Sequence, residues 1–278
     1  MNSPKKHCFL VYITIARRII SSHVTAMLLP ELRDLDLSPP YYDHWRAFIE
    51  TTLLEMAKFD SVSELLNHLK ASDFTKHFVP QAALPVGVAY ESFIYDTDGI
   101  PTRDGPHDYF NALCWFLFTQ SKSQLNRAQA AQIRQDGVYQ QRGAVRDAIT
   151  IIDENGLLLA CSDSLWEALA QKQWQRAFVE LREEWQYSQA VIFGHALMEK
   201  LLKPYKGICA HVIRIPQPMG TLDLNVVDRW LSAFLSADKL ATKPYIPVPI
   251  FGIPGWHPLQ QAAGFYEDKT VFRPPRIR

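Results

Sequence analysis

Residues 148–161 read AITIIDENGLLLAC, and two apolar runs in this stretch flank a group of turn-forming residues. Ala148–Ile152 and Leu157–Cys161 are rich in aliphatic and β-branched side chains, which are typical of strands. Asn155 and Gly156 between them supply the positive φ values that a type I′ turn requires. The stretch therefore predicts a β-hairpin, and its apolar strands indicate that both faces are covered.

A second hairpin is predicted upstream, where Ala89–Tyr95 and Ile100–Arg103 flank aspartates and a glycine. Helices are predicted between the hairpins at Pro106–Gln120 and Leu125–Gln135, with Gly137 placed to end the second one. Strands and helices interleave irregularly along the chain. The predicted fold class is therefore α+β: a single compact domain with two β-hairpins or a small mixed sheet packed with several helices.

The two ends of the chain differ from this core. Prolines recur from Pro244 to Pro275 and disfavour regular structure, yet the aromatic residues among them are too apolar for a disordered tail. This pattern predicts an extended C-terminal arm wrapped on the core. Residues 1–26 are predicted to be an extension outside the fold, because capped and periodic sequence begins just after Met27. Residues 27–278 would then form the single α+β domain.

Composition excludes several classes of protein. The formal net charge is zero and the pI is about 7.1, so the chain lacks the basic character of a general nucleic-acid binder. The apolar run Cys8–Ala16 is too short for a membrane span, which takes about 20 residues. The four cysteines form no C-x-x-C pair and are expected to be buried, reduced thiols. We expect a cytoplasmic protein without a membrane span.

Polar side chains concentrate between Glu91 and Asn126, around a predicted helix that is otherwise apolar on all sides. Such a helix is expected to be buried. Its polar residues His107, Asp108 and Asn111 lie in the first turns and share a face or are adjacent on it. Because buried polar groups need partners, we expect a hydrogen-bonded network at this helix N-terminus.

Two interpretations of this network stay open. Pro106 suits the first helical position and Asp108 a capping position, so the cluster can be purely structural. Alternatively, it is a functional site in which Arg103 and Glu91 reach the same place from the first hairpin. Arg103 would then hold an anionic group of a substrate.

A later segment adds one more histidine. His195 and Glu199 are four residues apart on a predicted helix, a spacing that permits a metal pair. Glu199, however, points away from the apolar stripe and suits an ion pair with Lys203. We therefore assign no metal ligand and expect His195 to be partly buried and to bond another segment.

Arg146 belongs to a charged stretch just before the strand predicted at Ala148–Ile152. It is expected either to line a pocket and bind substrate or to form an ion pair at the strand entrance. The chain has no G-x-G-x-x-G, G-x-x-x-x-G-K-[ST], H-E-x-x-H or G-x-S-x-G motif. The cofactor therefore stays unknown.

Several blocks of the chain resemble a bacterial family known as domain of unknown function 3025. The blocks are Tyr90-Glu91, Pro101-Thr102-Arg103, His107-Asp108-Tyr109-Phe110-Asn111-Ala112-Leu113, Lys122, Leu125-Asn126, Arg146-Asp147-Ala148, Asp153-Glu154-Asn155-Gly156, Phe193-Gly194-His195-Ala196-Leu197, Glu199-Lys200, Gly252-Ile253-Pro254-Gly255-Trp256 and Val271-Phe272-Arg273-Pro274. The likeness runs from about Leu28 to Pro274. It implies one domain, a bacterial origin and a cytoplasmic location, and it carries no activity.

Three functions are compatible with these patterns. The leading hypothesis is a hydrolase-like acid–base enzyme for a small, possibly anionic molecule. Its catalytic residues would be His107, Asp108, Asn111, Glu91 and His195, and its substrate-binding residues Arg103 and Arg146. The alternative is a non-catalytic binding or interaction protein in which the cluster is a structural network. A minor alternative is a metal-dependent nuclease, in which a hairpin leads into a helix bearing a metal-binding His or Asn.

Overall fold

The computed structural model describes residues 28–137, 143–216, 222–262 and 264–275. The α-helices in these ranges are α1 Arg46–Glu55, α2 Val62–Leu69, α3 Tyr90–Thr97, α4 Pro106–Leu117, α5 Thr119–Asp136, α6 Ala144–Asn155, α7 Asp163–Ala170, α8 His195–Lys200, α9 Leu224–Phe234 and α10 Ala237–Ala241. The strands are β1 His77–Pro80, β2 Gly99–Thr102, β3 Gly156–Ala160, β4 Gln189–Ile192, β5 Cys209–Arg214 and β6 Ile246–Pro249.

The larger sheet has the strand order β4-β3-β5-β6. Strand β3 is parallel to β5 and antiparallel to β4, and β5 is antiparallel to β6, so the sheet is mixed. Every residue of β3 is buried, as expected for an apolar central strand covered on both faces. Strands β1 and β2 form a separate parallel pair. The described chain is thus an α+β domain with small sheets and many helices around one hydrophobic core.

The hairpin predicted at residues 148–161 is wrong in its first half. Ala148–Ile152 lies in α6, where Ala148, Ile149 and Ile152 are buried at helical spacing. Gly156 has an extended backbone, with φ −70° and ψ 141°, instead of the positive φ of a type I′ turn. Asn155 and Gly156 are therefore the junction between a helix and a strand, and β3 finds its partners elsewhere in the chain.

The upstream hairpin is also wrong. Ala89–Tyr95 enters helix α3, which ends at Asp98 in the left-handed region with φ 56°. The following residues do form strand β2, but β2 pairs in parallel with β1 rather than with the segment that precedes it. An aspartate next to a glycine ends a helix as readily as it turns a hairpin.

The two helices predicted between these segments are present with shifted bounds. Helix α4 ends at Leu117, and Phe118 interrupts the helical geometry with φ −130° and ψ 49°. Helix α5 begins at Thr119, six residues before the predicted Leu125, and Gly137 follows its end with φ 79°. The two helices are therefore consecutive.

The C-terminal arm packs on the core as predicted. Phe251, Trp256, Phe265 and Phe272 are buried, although β6 shows that part of the arm is regular. The prolines within β6 are tolerated because β6 is an edge strand of the larger sheet. The extension predicted for residues 1–26 lies outside the described residues. None of the helices in the described ranges has the length and apolar character needed to cross a bilayer.

Candidate active site

A cavity of about 370 Å³ opens between α3, α4, α5, α6 and α8. Most of its lining is polar or charged, which is unusual for a space beside a large hydrophobic core. The polar and charged residues that line it are Gln81, Tyr90, Glu91, Arg103, His107, Asp108, Asn111, Lys122, Asn126, Gln129, Thr150, Asp153, Glu154 and His195.

Helix α4 brings its first turns to the cavity because the rest of the helix is held in the core. Residues 108–115 are all buried. Pro106 occupies the start of the helix, where its missing N–H costs no hydrogen bond. His107, Asp108 and Asn111 then line the cavity together, as the spacing predicts.

The carboxylate of Asp108 is paired with Arg103. One carboxylate oxygen, Oδ2, accepts hydrogen bonds from the Arg103 backbone N–H at 2.7 Å and from Nε at 2.9 Å. The other oxygen accepts from Nη2 at 2.9 Å. Burial alone would raise the pKa of Asp108, but these bonds and the guanidinium charge lower it below its usual value. Arg103, predicted to bind substrate, therefore ties the end of β2 to α4.

His107 and His195 contact each other across the α4–α8 interface. Their Nε2 atoms are 3.2 Å apart, and the rings meet edge to face at 80°. His107 Nδ1 lies 2.7 Å from Oε2 of Glu199. His195 Nδ1 faces Oδ2 of Asp153 at 3.6 Å, which is too long for a hydrogen bond. The two histidines thus lie between two carboxylates.

The two histidines differ in exposure. The side chain of His107 is 39% exposed, whereas that of His195 is 8% exposed. Burial lowers the pKa of His195 to about 4, with Lys122 and His107 contributing in the same direction and Asp153 opposing. His195 is therefore neutral at pH 7.

The close approach of two backbones fixes His195. The N–H groups of Phe193 and Gly194 both donate to the Gly156 carbonyl, at 3.0 and 2.9 Å. A Cβ atom on Gly194 would lie only 2.4 Å from the Glu154 carbonyl oxygen. Glycine at position 194 therefore allows α8 to start against the α6–β3 junction, and it places His195 beside Asp153.

Asp153 extends the network into the protein. Lys122 Nζ donates to Oδ1 of Asp153 and, at 2.8 Å, to Oδ1 of Asn111. Asn111 Nδ2 in turn donates to the Tyr90 hydroxyl at 3.1 Å. Burial alone would raise the pKa of Asp153, but the charges of Lys122 and His195 lower it below its usual value. Polar contacts thus run from Tyr90 on α3 through α4, α5 and α6.

Glu91 reaches the cavity from α3. The Asn126 amide holds its backbone by donating to the Glu91 carbonyl at 2.8 Å. Burial raises the pKa of the Glu91 side chain, and Asp153 raises it further, while the positive charges of Lys122 and Arg146 oppose the shift. Glu91 is therefore close to other charged groups of the site, as the sequence suggested.

Arg146 does not stand at a strand entrance, because its segment is helical. It is 6% exposed, and its Nε and Nη1 have no hydrogen-bond partner among the described residues. Residues 149, 150 and 153, which share its face of α6, line the cavity. Arg146 itself is not among the lining residues, so it lies buried behind this wall and forms no ion pair on the surface.

Glu199 also differs from its expected role. Instead of pairing with Lys203, its carboxylate binds His107 from outside the cavity. The described residues contain no group of three or more His, Cys, Asp or Glu side chains arranged to hold a metal ion.

Sequence reasoning missed Lys122, Asp153, Thr150 and Gln129 as site residues. Two of them, Lys122 and Asp153, lie in blocks on which the family resemblance rests. Interpreting residues 144–155 as a helix would have placed Arg146, Thr150 and Asp153 on one face. That signal was hidden by the hairpin interpretation.

A family model described as "Protein of unknown function (DUF3025)" matches residues 76–276. The match begins later than the Leu28 expected from the resemblance, so α1 and α2 precede it. It includes all the residues of the cavity lining and both histidines. A search of curated proteins and a search of solved structures found no match. Because the matched region spans more than half of the 278 residues, the chain belongs to the DUF3025 family.

Proposed function

We propose that the cavity is the active site of a hydrolase-like acid–base enzyme acting on a small polar molecule. The observation that carries the proposal is the contact between His107 and His195, held between Glu199 and Asp153. Histidine is the side chain best suited to proton transfer near neutral pH.

Hydrogen-bond bookkeeping gives each histidine a different role. Glu199 accepts hydrogen bonds and donates none, so Nδ1 of His107 carries the N–H. His195 is neutral at pH 7, and its Nδ1 has no hydrogen-bond partner among the described residues. One proton between the two Nε2 atoms satisfies the contact of the rings.

Two histidines in contact can serve as general base and general acid. A water molecule or substrate hydroxyl that displaces the contact would meet the Nε2 atoms of both rings. One Nε2 would accept its proton, and the other ring would return a proton to the leaving group. Glu199 would hold the His107 ring in the required tautomer.

The charges of the cavity narrow the substrate class. Its lining contains four acidic residues, Glu91, Asp108, Asp153 and Glu154, and two basic residues, Arg103 and Lys122. Both basic residues are already paired with aspartates. These charges favour an uncharged or positively charged substrate over the anionic one expected from Arg103.

The protonation state of His195 is testable without a substrate. Nitrogen NMR of the histidine rings at pH 7 is expected to show a neutral His195. A charged His195 at pH 7 would contradict its assignment as a base.

Activity can be tested with a panel of small esters and amides. We expect His107→Asn and His195→Asn to lose at least about a hundredfold in rate, the lower range for general acid–base catalysis. His68→Asn is the matched control, because His68 is half exposed on α2 and does not line the cavity. Equal rates in all three variants would contradict the proposal.

The alternative of a non-catalytic binding protein has one observation in its favour. Lys122 donates to Asn111 and Asp153, and Asn111 donates to Tyr90. The carboxylate of Asp108 accepts hydrogen bonds from Arg103. His107→Ala distinguishes the two hypotheses when melting temperature and ligand binding are both measured. A large loss of stability without any effect on ligand binding or turnover favours the structural network.

The nuclease hypothesis loses its supporting feature, because a helix replaces the hairpin that was to lead into α4. We retain a bacterial cytoplasmic location as part of the proposal. Among the described residues, the free cysteines Cys114 and Cys161 are buried and Cys209 is half-buried, and reduced thiols are typical of a reducing compartment.

A further inference from the structure

Tyr90, the first residue of α3, lines the cavity and takes no part in the contact between the histidines. Its side chain is half-buried. Burial, together with the charges of nearby carboxylates, raises the pKa of its hydroxyl above the usual value. Tyr90 is therefore neutral at pH 7 and keeps its proton, and the contacts of its oxygen decide where that proton points.

The direction of each hydrogen bond between Lys122 and Tyr90 is fixed by the chemistry of the groups. An ammonium group only donates, so the Asn111 atom that lies 2.8 Å from Lys122 Nζ is the carbonyl oxygen Oδ1. The other amide atom, Nδ2, lies 3.1 Å from the Tyr90 oxygen, and an amide nitrogen also only donates. The Tyr90 oxygen is therefore the acceptor of this bond.

The proton of the Tyr90 hydroxyl has no acceptor in the part of the chain that the structure describes. Among the described residues, the bond from Asn111 is the only hydrogen bond of this oxygen. The carboxylate of Asp108, which also lines the cavity, accepts hydrogen bonds from Arg103. The O–H group of Tyr90 is left for a molecule that enters the cavity, and an oxygen atom of that molecule would satisfy it.

The residues behind Tyr90 strengthen this donor. The side chain of Lys122 is only 4% exposed, so water screens its charge little. A hydrogen bond that starts at a charged donor polarises the bonds that follow it in a chain. Asn111 and Tyr90 are the next two groups of that chain. The Tyr90 O–H is therefore a stronger donor than an isolated tyrosine hydroxyl.

Tyr90 and the histidine pair meet on one face of α4. His107 and Asn111 are one helical turn apart, which separates their Cβ atoms by about 5–6 Å. Asn111 contacts the Tyr90 oxygen, and His107 contacts His195. All four residues line the same cavity. This spacing is compatible with one ester or amide group that contacts both Tyr90 and the histidines.

We infer that Tyr90 is a catalytic hydrogen-bond donor for the carbonyl oxygen of an ester or amide, and that Asn111 and Lys122 position it. The inference rests on the proposed function, because it adds the group that stabilises the carbonyl oxygen while the histidines transfer protons. Donors aimed at an oxygen that gains negative charge in the transition state accelerate such reactions.

The reaction balances without any further reagent. The oxygen of a water molecule bonds to the carbonyl carbon, the π electrons of the C=O bond move to the carbonyl oxygen, and one histidine Nε2 takes a proton from the water. Tyr90 keeps its proton and donates a hydrogen bond to the negative oxygen. The C=O bond then re-forms, the bond to the leaving group breaks, and the second histidine gives the leaving group a proton. Transfer of a proton between the two rings restores the pair.

Acetophenone tests the donor without turnover, because it has a carbonyl group and no bond that hydrolysis can break. Acetophenone enriched at the carbonyl carbon is titrated into the full chain and followed by carbon NMR. We expect the carbonyl signal to move downfield on binding, as a hydrogen bond to its oxygen requires. Tyr90→Phe is expected to abolish this shift and to weaken binding up to about tenfold.

Tyr95→Phe is the matched control for Tyr90→Phe. Tyr95 belongs to the same helix, is 41% exposed and does not line the cavity, so the carbonyl shift should remain. An equal shift in Tyr90→Phe and wild type would overturn the inference. So would the absence of acetophenone binding up to its solubility limit.

Asn111→Asp tests the direction of the bonds while the Tyr90 hydroxyl is kept. The new carboxylate still accepts from Lys122 but donates nothing, so the Tyr90 O–H turns towards it and is lost to the ligand. We expect the same loss of the carbonyl shift as in Tyr90→Phe. A variant that is folded by circular dichroism and shows the wild-type shift would overturn the inference. Either variant is sufficient for the test if the other does not fold.

Hydrolysis of esters and amides separates the failure of this inference from the failure of the proposed function. Tyr90→Phe should lower kcat about a hundredfold or more and change KM less than about threefold, because the bond strengthens in the transition state. Equal turnover in Tyr90→Phe and wild type contradicts the inference and leaves the enzyme standing. A carbonyl shift that depends on Tyr90, without turnover of any ester or amide, leaves the donor standing and contradicts the proposed enzyme.

Discussion

Asp108 and Asp153 line the same cavity, and each pairs with one cation, yet they have different surroundings. Asp108 receives three hydrogen bonds from Arg103, whose side chain is 63% exposed. Asp153 pairs with Lys122, whose side chain is only 4% exposed, and faces His195. The comparison teaches that pairing with a cation does not by itself connect a carboxylate to the histidine pair. Asp108 anchors a turn, whereas Asp153 connects a buried cation to the histidine pair.

The largest expected effect comes from breaking the buried pair. Asp153→Ala leaves the Lys122 ammonium buried without a counter-charge, and we expect the free energy of unfolding to fall by about 3–5 kcal/mol. Urea denaturation measures the change. The second substitution Lys122→Met is expected to restore part of it, because the uncompensated charge is removed.

Asp163 provides the matched control for that measurement. It pairs with Arg214, and its side chain is 87% exposed. Asp163→Ala should therefore cost less than about 1 kcal/mol. If Asp153→Ala costs no more than Asp163→Ala, the Asp153–Lys122 pair does not hold the site together.

The second effect is a pH dependence that follows from His195. Its pKa is about 4 in the folded chain and about 6.5 in an unfolded one, so the unfolded state takes up the proton first as pH falls. The corresponding stability is fully present above about pH 6.5 and is lost towards pH 4, a change of roughly 3 kcal/mol.

Urea denaturation at pH 7 and pH 4 checks this sign. The same comparison in His195→Asn isolates the histidine, and its pH dependence should be smaller by that amount. The pKa values of Asp108 and Asp153 are lowered below 3.8, so their contributions are lost at lower pH. Equal pH dependence in wild type and His195→Asn would contradict the buried, neutral His195.

The third effect sharpens the contrast between the aspartates. Asp108→Asn weakens charge-assisted bonds to Arg103, and we expect a loss of about 1–2 kcal/mol. NMR titration should leave the pKa of His195 unchanged in this variant. In Asp153→Asn the pKa of His195 should fall further, because the negative charge that opposes the shift is gone. Equal shifts of that pKa in the two variants would remove the distinction.

The smallest effect is expected for Arg103→Gln. Asp108 keeps the hydrogen bond from the backbone N–H of residue 103, and the glutamine amide can donate a second one, so we expect the free energy of unfolding to fall by less than about 1 kcal/mol. Turnover should also be little changed, since Arg103 is not needed by the histidines. A loss of activity without a loss of stability would return Arg103 to the role of a substrate-binding residue.

The fold class is predictable from the sequence, because composition and the spacing of apolar residues along the chain do not depend on the correct assignment of any single element. It does not predict the hairpins correctly, since Asn155-Gly156 and Asp98-Gly99 serve equally well at helix ends. Short apolar runs are ambiguous between helix and strand. The choice is made by long-range pairing, such as that of β3 with β5, which no local pattern contains.

Prediction of the candidate site from the sequence has the same limit. His107, Asp108 and Asn111 are predictable as a group because one helix turn places them together. The contact of His107 with His195 is not predictable, because it depends on how α8 packs against α4. Lys122 and Asp153 are separated by 31 positions and also meet only in the fold. Spacing along the sequence therefore identifies site residues that share a helix, but it does not identify the contacts between helices.

The contact between His107 and His195 joins positions 88 residues apart in the chain. Closing such a long interval costs entropy, which the pairing of the intervening β3 and the packing of α8 on α4 and α6 help to offset. During synthesis, α4 leaves the ribosome long before α8 exists, so a growing chain carries no assembled site. The contact between the two histidines is therefore absent from nascent and truncated chains that lack α8.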